Sequence, residues 1–506
     1  MSTEVSPNAH GEPVRSGAAA TKSADESNTP DKSTTSGKST TPDQKMSRES
    51  VTIIVTLLVA TFVVILNETI MNVALPRLMG DLSVNASTVQ WLATGFMLTM
   101  AVVIPTTGFI LQKLTTRHTF LLAIGLFIAG TVLAAAAPGF YVLLLARVVQ
   151  AAGTAIMLPL LMTTILTLVP MARRGMVMGN VTIAISVAPA LGPTVSGFIL
   201  AHFSWRFIFI FVLPIAVASM LLGAKYLTNV GEPGKKKLDA LSVLLTVPAF
   251  GGLVYGLSQL GNRDGGTGGP SAVAIAALVI GVLCLLLFVL RQLRQKSDAP
   301  LLDLRAFRFR MFTVSVLLMV VAMMALFGAI ILLPLYLQQV LRVDTLTTGL
   351  ILLPGGLAMG LSGPFIGRLF DKVGPRPLTI TGSALMVLML WQFSMLTAET
   401  PLWWIAVVQT VLNVSLALLF TPAFTNGLNP LPPHLYSHGS AIMSTLQQVA
   451  GAAGTALLVS ILAVVSAASG LVAGMQAAFL AATVIAIAAV VLSFMMRKTE
   501  PSAAGH

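Results

Sequence analysis

From Val51 to Met496 the chain is a succession of apolar stretches of about 20 residues, separated by short polar turns. A helix rises about 1.5 Å per residue, so each stretch is long enough to cross about 30 Å of hydrocarbon. The pattern predicts spans at 51–73, 88–110, 118–137, 141–161, 177–200, 207–226, 240–260, 272–291, 312–334, 346–366, 378–397, 403–424, 440–464 and 472–496. The runs are continuous and do not alternate with period two, so helices are expected and not barrel strands. The predicted fold is an all-α polytopic membrane protein with 14 transmembrane helices. Composition agrees: 56% of residues are hydrophobic and 9% charged, where a soluble domain carries about 25% charged. An ordinary soluble enzyme, a disordered chain and a fibrous protein are all excluded.

Residues 1–48 read differently. They are rich in Ser, Thr, Pro, Gly, Asp and Lys, with no apolar run. Such a segment buries too little surface to offset chain entropy, and a disordered cytoplasmic tail is expected. It lacks the basic start, short apolar region and cleavage site of a signal peptide. Net charge is +12, which in a membrane chain reflects basic loops more simply than nucleic-acid binding. Nineteen Lys and Arg fall on the side of the termini, against Arg77, Arg206, Arg263 and Arg342 opposite. That asymmetry places both termini in the cytoplasm. The single cysteine, Cys284, gives no disulfide framework or cysteine metal site. There is no GxxxxGK[ST], HExxH, Cys/His cluster or GxSxG, so ATP, metal and enzyme chemistry are not expected.

The largest basic clusters flank spans 7 and 8, which are joined by GNRDGGTGGP at 261–270. The loop GFILQKLTTRHTF at 108–120 is similar to GRLFDKVGPRPL at 367–378. Two six-helix halves, 51–226 and 312–496, with an inserted pair at 240–291 are therefore expected. Repeated halves with a site between them are common among secondary transporters.

Further stretches carry a family likeness: LNETIMNVALP at 66–76, RVVQAAGTA at 147–155, PALGPTVSG at 189–197 with SWRFIFIFVLPI at 204–215, PLLDLRAFRFRMF at 300–312, and TNGLNPLPPHLYSHGSAIMSTLQQVAGAAGTAL at 425–457. Together with 367–377 they resemble the major facilitator superfamily, specifically its fourteen-span drug:proton antiporters of the lincomycin-resistance branch. The resemblance covers essentially 51–496. It implies a multidrug efflux transporter of the bacterial cell membrane, working by alternating access. It would exchange hydrophobic or cationic drugs for protons, driven by the proton-motive force, with no cofactor and no ATP. The same fold could instead export an endogenous metabolite such as a peptide, amino acid or lipid precursor. A membrane sensor using the tail, or a channel, would need features that the chain does not display.

Burying an ionisable side chain at membrane depth costs about 2.5–3.5 kcal/mol on insertion scales. Two charged residues lie well inside the predicted spans, Glu68 and Arg147. A carboxyl at Glu68 can load a proton on one side and release it on the other, and can pair with a cationic substrate. The bland reading is a hydrogen-bonded structural Glu. Asn72 shares its helix face. The family motif has Asp where this chain has Asn67. Arg147 stays charged in any plausible environment; the resemblance makes it the cavity-facing arginine of the fourth span, with an interfacial anchor as the alternative. Gln150 lies one turn on.

Pro189, Gly192, Pro193 and Gly197 suit a bent helix packed closely on a neighbour. The resemblance reads them as the antiporter motif. Gly367, Arg368, Asp371 and Arg376 form a loop motif in which the carboxylate can cap a helix N-terminus and pair with Arg between the halves. Solvated loop charge is the alternative. The first-half copy has Gln112 where Asp is expected, which predicts a one-sided latch. Gln409, Asn413 and Gln447 are candidate cavity amides alongside Asn67, Asn72 and Gln150. His438 is expected in a solvated loop ahead of the thirteenth span.

Overall fold

A computed structural model describes residues 47–84, 86–229, 239–260, 272–294 and 301–499. The predicted tail, apart from its last two residues, and the turn at 261–270 lie outside the described residues. The helices are α1 (Arg48–Asp81), α2 (Ala86–Lys113), α3 (Thr116–Ala135), α4 (Phe140–Leu168), α5 (Arg174–His202), α6 (Arg206–Tyr226), α7 (Ala240–Thr246), α8 (Gly252–Leu260), α9 (Ala272–Arg294), α10 (Arg310–Leu335), α11 (Thr345–Val373), α12 (Pro375–Phe393), α13 (Leu402–Leu428), α14 (Tyr436–Ser469) and α15 (Leu471–Met495). No strand occurs among the described residues. A π-turn, Val247–Gly251, joins α7 to α8, so the seventh predicted span is helical throughout but not uniformly α.

Each predicted span meets a helix, and many helices run past the apolar stretch that marked them. α1 reaches Asp81, where 73 was expected, and α14 starts at Tyr436, ahead of 440. Polar residues supply the stops. Ser47, Thr115 and Asp344 accept N-terminal amides of α1, α3 and α11. Gly374 and Gly470, at φ 82° and 86°, turn the chain between consecutive helices in a conformation that favours glycine. Twelve of the described helices are long and apolar enough to cross a membrane. The stretch Leu241–Leu257 is apolar but shorter.

Helices α1–α6 pack mainly on one another, through α3/α4, α1/α5, α2/α4 and α3/α6. Helices α10–α15 do the same through α11/α13, α12/α13, α10/α14 and α12/α15. Two seams join these sets: α5 lies along α11, and α2 along α14. In each seam the second helix of one set meets the fifth of the other. The bundle end carrying Lys113, Arg173, Arg174, Arg368, Lys372 and Arg497 is called the basic end below.

Candidate functional site

Arg147 is the charged side chain most completely enclosed, with no exposed surface. α4 delivers it into a cage built by three neighbours. Its Nε donates to Leu92 O (3.5 Å), its Nη1 to Gln150 Oε1 (3.1 Å), and the guanidinium lies 4.0 Å over the Phe96 ring. Gln150 passes the chain on by donating to Thr131 Oγ1 (2.9 Å) on α3. Arg147 Nη2 has no hydrogen-bond partner among the described residues. Glu68, half-buried on α1, interacts electrostatically with Arg147 without a direct ion pair among the described contacts. The result is a fixed cation that interacts with a carboxyl of the neighbouring helix, with both Nη2 N–H groups unpartnered among the described residues. Phe96 and Thr131 were not foreseen, because an aromatic or a threonine in a membrane helix carries no signal of its own.

The other amides divide by burial. Asn67 is fully buried and both its side-chain polar atoms lack a partner. Asn413 donates to Gln409 O (2.9 Å), and both side chains are buried on α13; Asn413 lies against Gly355 of α11. Gln447 is half-buried, with Nε2 unpaired. The side chain of Asn72 lies outside the described residues, as does that of Pro193.

The span-5 glycines play different parts. Gly192 abuts Thr69 of α1, whose Oγ1 approaches Ala188 O (3.4 Å), so a Cβ at 192 would collide. Gly197 has open space around it, and Pro189 is half-buried. The tighter glycines are elsewhere. Gly175 and Gly179 of α5 meet Gly367 and Gly363 of α11 backbone to backbone, and a Cβ on Gly363 would stand 2.9 Å from Thr182 Cβ. Their four-residue spacing was the available clue.

Asp371 closes the basic end of this seam. Its two oxygens accept from Gly175 N (3.0 Å) and Met176 N (2.9 Å), capping the first turn of α5. Capping is thus observed, whereas pairing with Arg is absent among the described ion pairs. Arg368 and Arg376 are exposed. A nearby arginine with a cross-set role is Arg174: buried, it donates to Asn429 Oδ1 (2.9 Å) and to the carbonyls of Val169 and Leu166.

The one-sided latch needs correcting. Gln112 also bonds across the sets, donating from Nε2 to His434 O (3.0 Å) and Ser437 Oγ (3.1 Å). An amide can donate where a carboxylate cannot, so the second latch works with reversed polarity. His438 needs correcting too. It is 1% exposed, inside α14, with its ring against Gly108 of α2. His438 looked like a loop residue because it is polar and precedes the predicted span, but α2 covers it, and the neighbouring Ser437 and Ser440 meet α2 and α4. Ser440 Oγ lies 3.4 Å from Thr163 Oγ1, and Thr182 Oγ1 lies 3.0 Å from Thr421 Oγ1. Among the described residues, these cross-set hydrogen bonds gather in the basic-end half.

An apolar groove of about 510 Å³, lined by Phe198, Phe203, Phe207 and Phe211 among others, lies on α5 and α6 and includes none of the predicted site residues.

Comparison with known proteins bears on this arrangement. The family model of the Major Facilitator Superfamily matches residues 57–455. An uncharacterized MFS-type transporter of Bacillus subtilis (strain 168), YcnB, is 43% identical over 465 residues, covering 90% of this chain and 97% of its own length. Lincomycin resistance protein LmrB of the same organism is 40% identical over 463 residues, covering 88% and 96%. A multidrug resistance protein B homolog of Mycobacterium tuberculosis (strain ATCC 25618 / H37Rv) is 30% identical, covering 77% and 72%. The crystal structure of the human organic anion transporter MFSD10 (TETRAN) superposes with a TM-score of 0.63 at 15% identity, over 88% of this chain and 99% of that one.

Proposed function

Because the chain belongs to the Major Facilitator Superfamily, a family of multi-pass membrane transporters and not of enzymes, we propose that it is a proton-coupled multidrug exporter of the bacterial cell membrane. Both termini are cytoplasmic and fourteen segments cross the bilayer, the short α7–α8 segment and α12 among them. The two halves are 51–226 and 312–496, and 240–291 is an inserted pair. Names of lincomycin and multidrug resistance among its relatives support a drug as cargo.

The observation that carries the reading is the Glu68–Arg147 constellation. Arg147 is held by Gln150, Phe96 and the Leu92 carbonyl, so it cannot leave to neutralise a substrate. Among the described residues Glu68 makes no hydrogen bond of that kind. Protonated, it presents a neutral surface; deprotonated, it offers a negative charge to a cationic drug. One carboxyl serving proton and drug in turn makes the two compete, which is the requirement of antiport. Asn67, Gln409, Asn413 and Gln447 are buried or half-buried amides that could offer a substrate polar points within the apolar bundle; Asn72 keeps the same proposed role from its place in the sequence.

With the basic end cytoplasmic, the latches of Asp371, Gln112 and Arg174 hold the cytoplasmic side shut. This is the outward-facing arrangement, in which drug leaves and a proton arrives. Breaking those bonds and remaking others opposite gives alternating access. No cofactor enters; the proton-motive force drives the cycle.

The test is export from everted membrane vesicles of cells expressing the chain. Accumulation of lincomycin or a lipophilic cation, abolished by an uncoupler and unaffected by removing ATP, is expected. Uncoupler-resistant accumulation would defeat proton coupling. Failure with every drug, alongside exchange of a peptide or amino acid, would move the cargo to an endogenous metabolite.

A further inference from the structure

The inserted helices occupy a definite place. α7 and α8 lie between α9 and the α2/α14 seam. Gly251 brings its backbone against α2, where a Cβ would stand 3.6 Å from Val102 and 3.7 Å from Leu98. Tyr255 stacks on Trp91 of α2 at 5.7 Å, and α8 also packs on α14. Behind them, Gly252 and Gly256 meet Gly281 and Leu278 of α9 at backbone distance, and Phe250 sits edge-on to Phe288 at 5.9 Å. α9 turns Val279, Leu283, Leu286 and Leu290 outward. The seam therefore has two helical layers between it and the surroundings.

A polar clamp fixes these layers at the basic end. Arg291 donates to both oxygens of Asp239 (3.0 and 2.9 Å), Gln292 Nε2 donates to Ser242 Oγ (2.8 Å), and Gln292 Oε1 accepts from Leu302 N (3.4 Å). Leu302 belongs to the segment leading into α10, so the hairpin is tied to the last six helices while lying over α2.

Among the described residues, the α5/α11 seam has no comparable layer. α5 packs on α11, α1 and α13, and α11 on α5 and α13. Along the same stretch of α11, Leu361 and Phe365 are 71% and 69% exposed. In a bilayer these side chains touch lipid directly.

We infer that the inserted pair is a cover that closes the α2/α14 seam to the bilayer, leaving the α5/α11 seam as the sideways route for substrate dissolved in the membrane. The inference rests on the export reading above. An amphipathic cation concentrates in the bilayer, and to enter from there it must pass between two helices. At α5/α11, once the Asp371 latch and the glycine contacts have parted, only lipid lies outside. At α2/α14 a clamped two-helix layer would have to be displaced as well.

The experiment uses the full chain with Cys284→Ser, in vesicles. Leu361→Cys is modified with a bulky maleimide, and Leu286→Cys on the outer face of α9 is the control. Export of a lipophilic phosphonium cation should fall about tenfold on modifying Leu361→Cys, with water-soluble lincomycin changed less than about twofold and neither changed by modifying Leu286→Cys. Unchanged phosphonium export would overturn the inference. So would equal loss of both substrates, which marks a jammed transporter and not a blocked route. In parallel, a photoreactive phosphonium in liposomes should label α5 and α11 and spare α2 and α14; equal labelling of both seams would also overturn it. If the unmodified protein exports neither substrate, the export reading fails, and the labelling pattern still decides whether the seam is covered.

Discussion

The two seams perform one task with different chemistry. At α5/α11 a carboxylate, Asp371, accepts two backbone N–H groups from the first turn of α5. At α2/α14 an amide, Gln112, donates to a carbonyl and a hydroxyl at the start of α14. An anion at a helix N-terminus gains from the helix dipole, and charge-assisted hydrogen bonds are worth roughly twice neutral ones. The first seam also brings glycine against glycine, whereas the second sets the His438 ring on Gly108. One seam is strong at its tip, thin and bare; the other is weaker at its tip and roofed by the inserted pair. Two seams that pair a second helix with a fifth therefore need not be equivalent interfaces, because position 112 carries an amide where 371 carries a carboxylate.

The largest effect is expected where backbones touch. Gly363→Leu forces a side chain into Gly179 and Thr182, and overpacking of this kind costs about 3 kcal/mol. A thermal-shift assay in detergent should show a marked fall; an unchanged melting temperature would mean the seam is looser than described. Next comes Asp371→Ala, which strips two charge-assisted bonds and leaves the Gly175 and Met176 amides unpaired. A loss of about 2 kcal/mol, or about thirtyfold in the ratio of closed to open basic ends, is expected. Spin-label distances between Arg117→Cys and Arg376→Cys, in a Cys284→Ser background, would report it. Gln112→Ala should cost about 1 kcal/mol, about fivefold in the same ratio. Gln112→Glu should be no better than Ala, since a carboxylate cannot donate to the His434 carbonyl. If Gln112→Glu strengthened closure, the reversed polarity of the second latch would be wrong. The smallest effect belongs to Trp91→Ala, which removes one stacked ring from under the cover, at about 1 kcal/mol and a slight fall in melting temperature.

Sequence made the fold legible to the extent that hydrophobicity dictates it. Long apolar runs must become helices in lipid, so each predicted stretch is helical, twelve of the helices being long and apolar enough to cross a membrane, and the ends overshoot because caps such as Ser47 and Asp344 lie in polar sequence. Charge at depth was legible for the same reason: Glu68 and Arg147 stand out against an apolar background. What was not legible is which polar groups find each other. Gln112 looked like the loss of a latch because its expected partner was a helix N-terminus; its actual partners, a carbonyl and a hydroxyl, are 322 and 325 residues away. His438 looked exposed because polarity near a span end resembles a loop, and only the packing of α2 against α14 shows it buried. Gly175 and Gly179 were passed over in favour of Gly192 and Gly197, although only the first pair has the i, i+4 spacing that brings both onto one helix face; of the second pair Gly192 alone is tightly packed.

The measurement closest to the centre of the account is proton movement in proteoliposomes carrying an imposed pH gradient. Lincomycin or a lipophilic cation is added, and wild type is compared with Glu68→Gln. Drug-induced proton release in wild type and its loss in Glu68→Gln, with drug binding retained, is the result expected of one carboxyl that serves proton and cation in turn. Release that persists undiminished in Glu68→Gln would contradict that assignment and place the proton on another group.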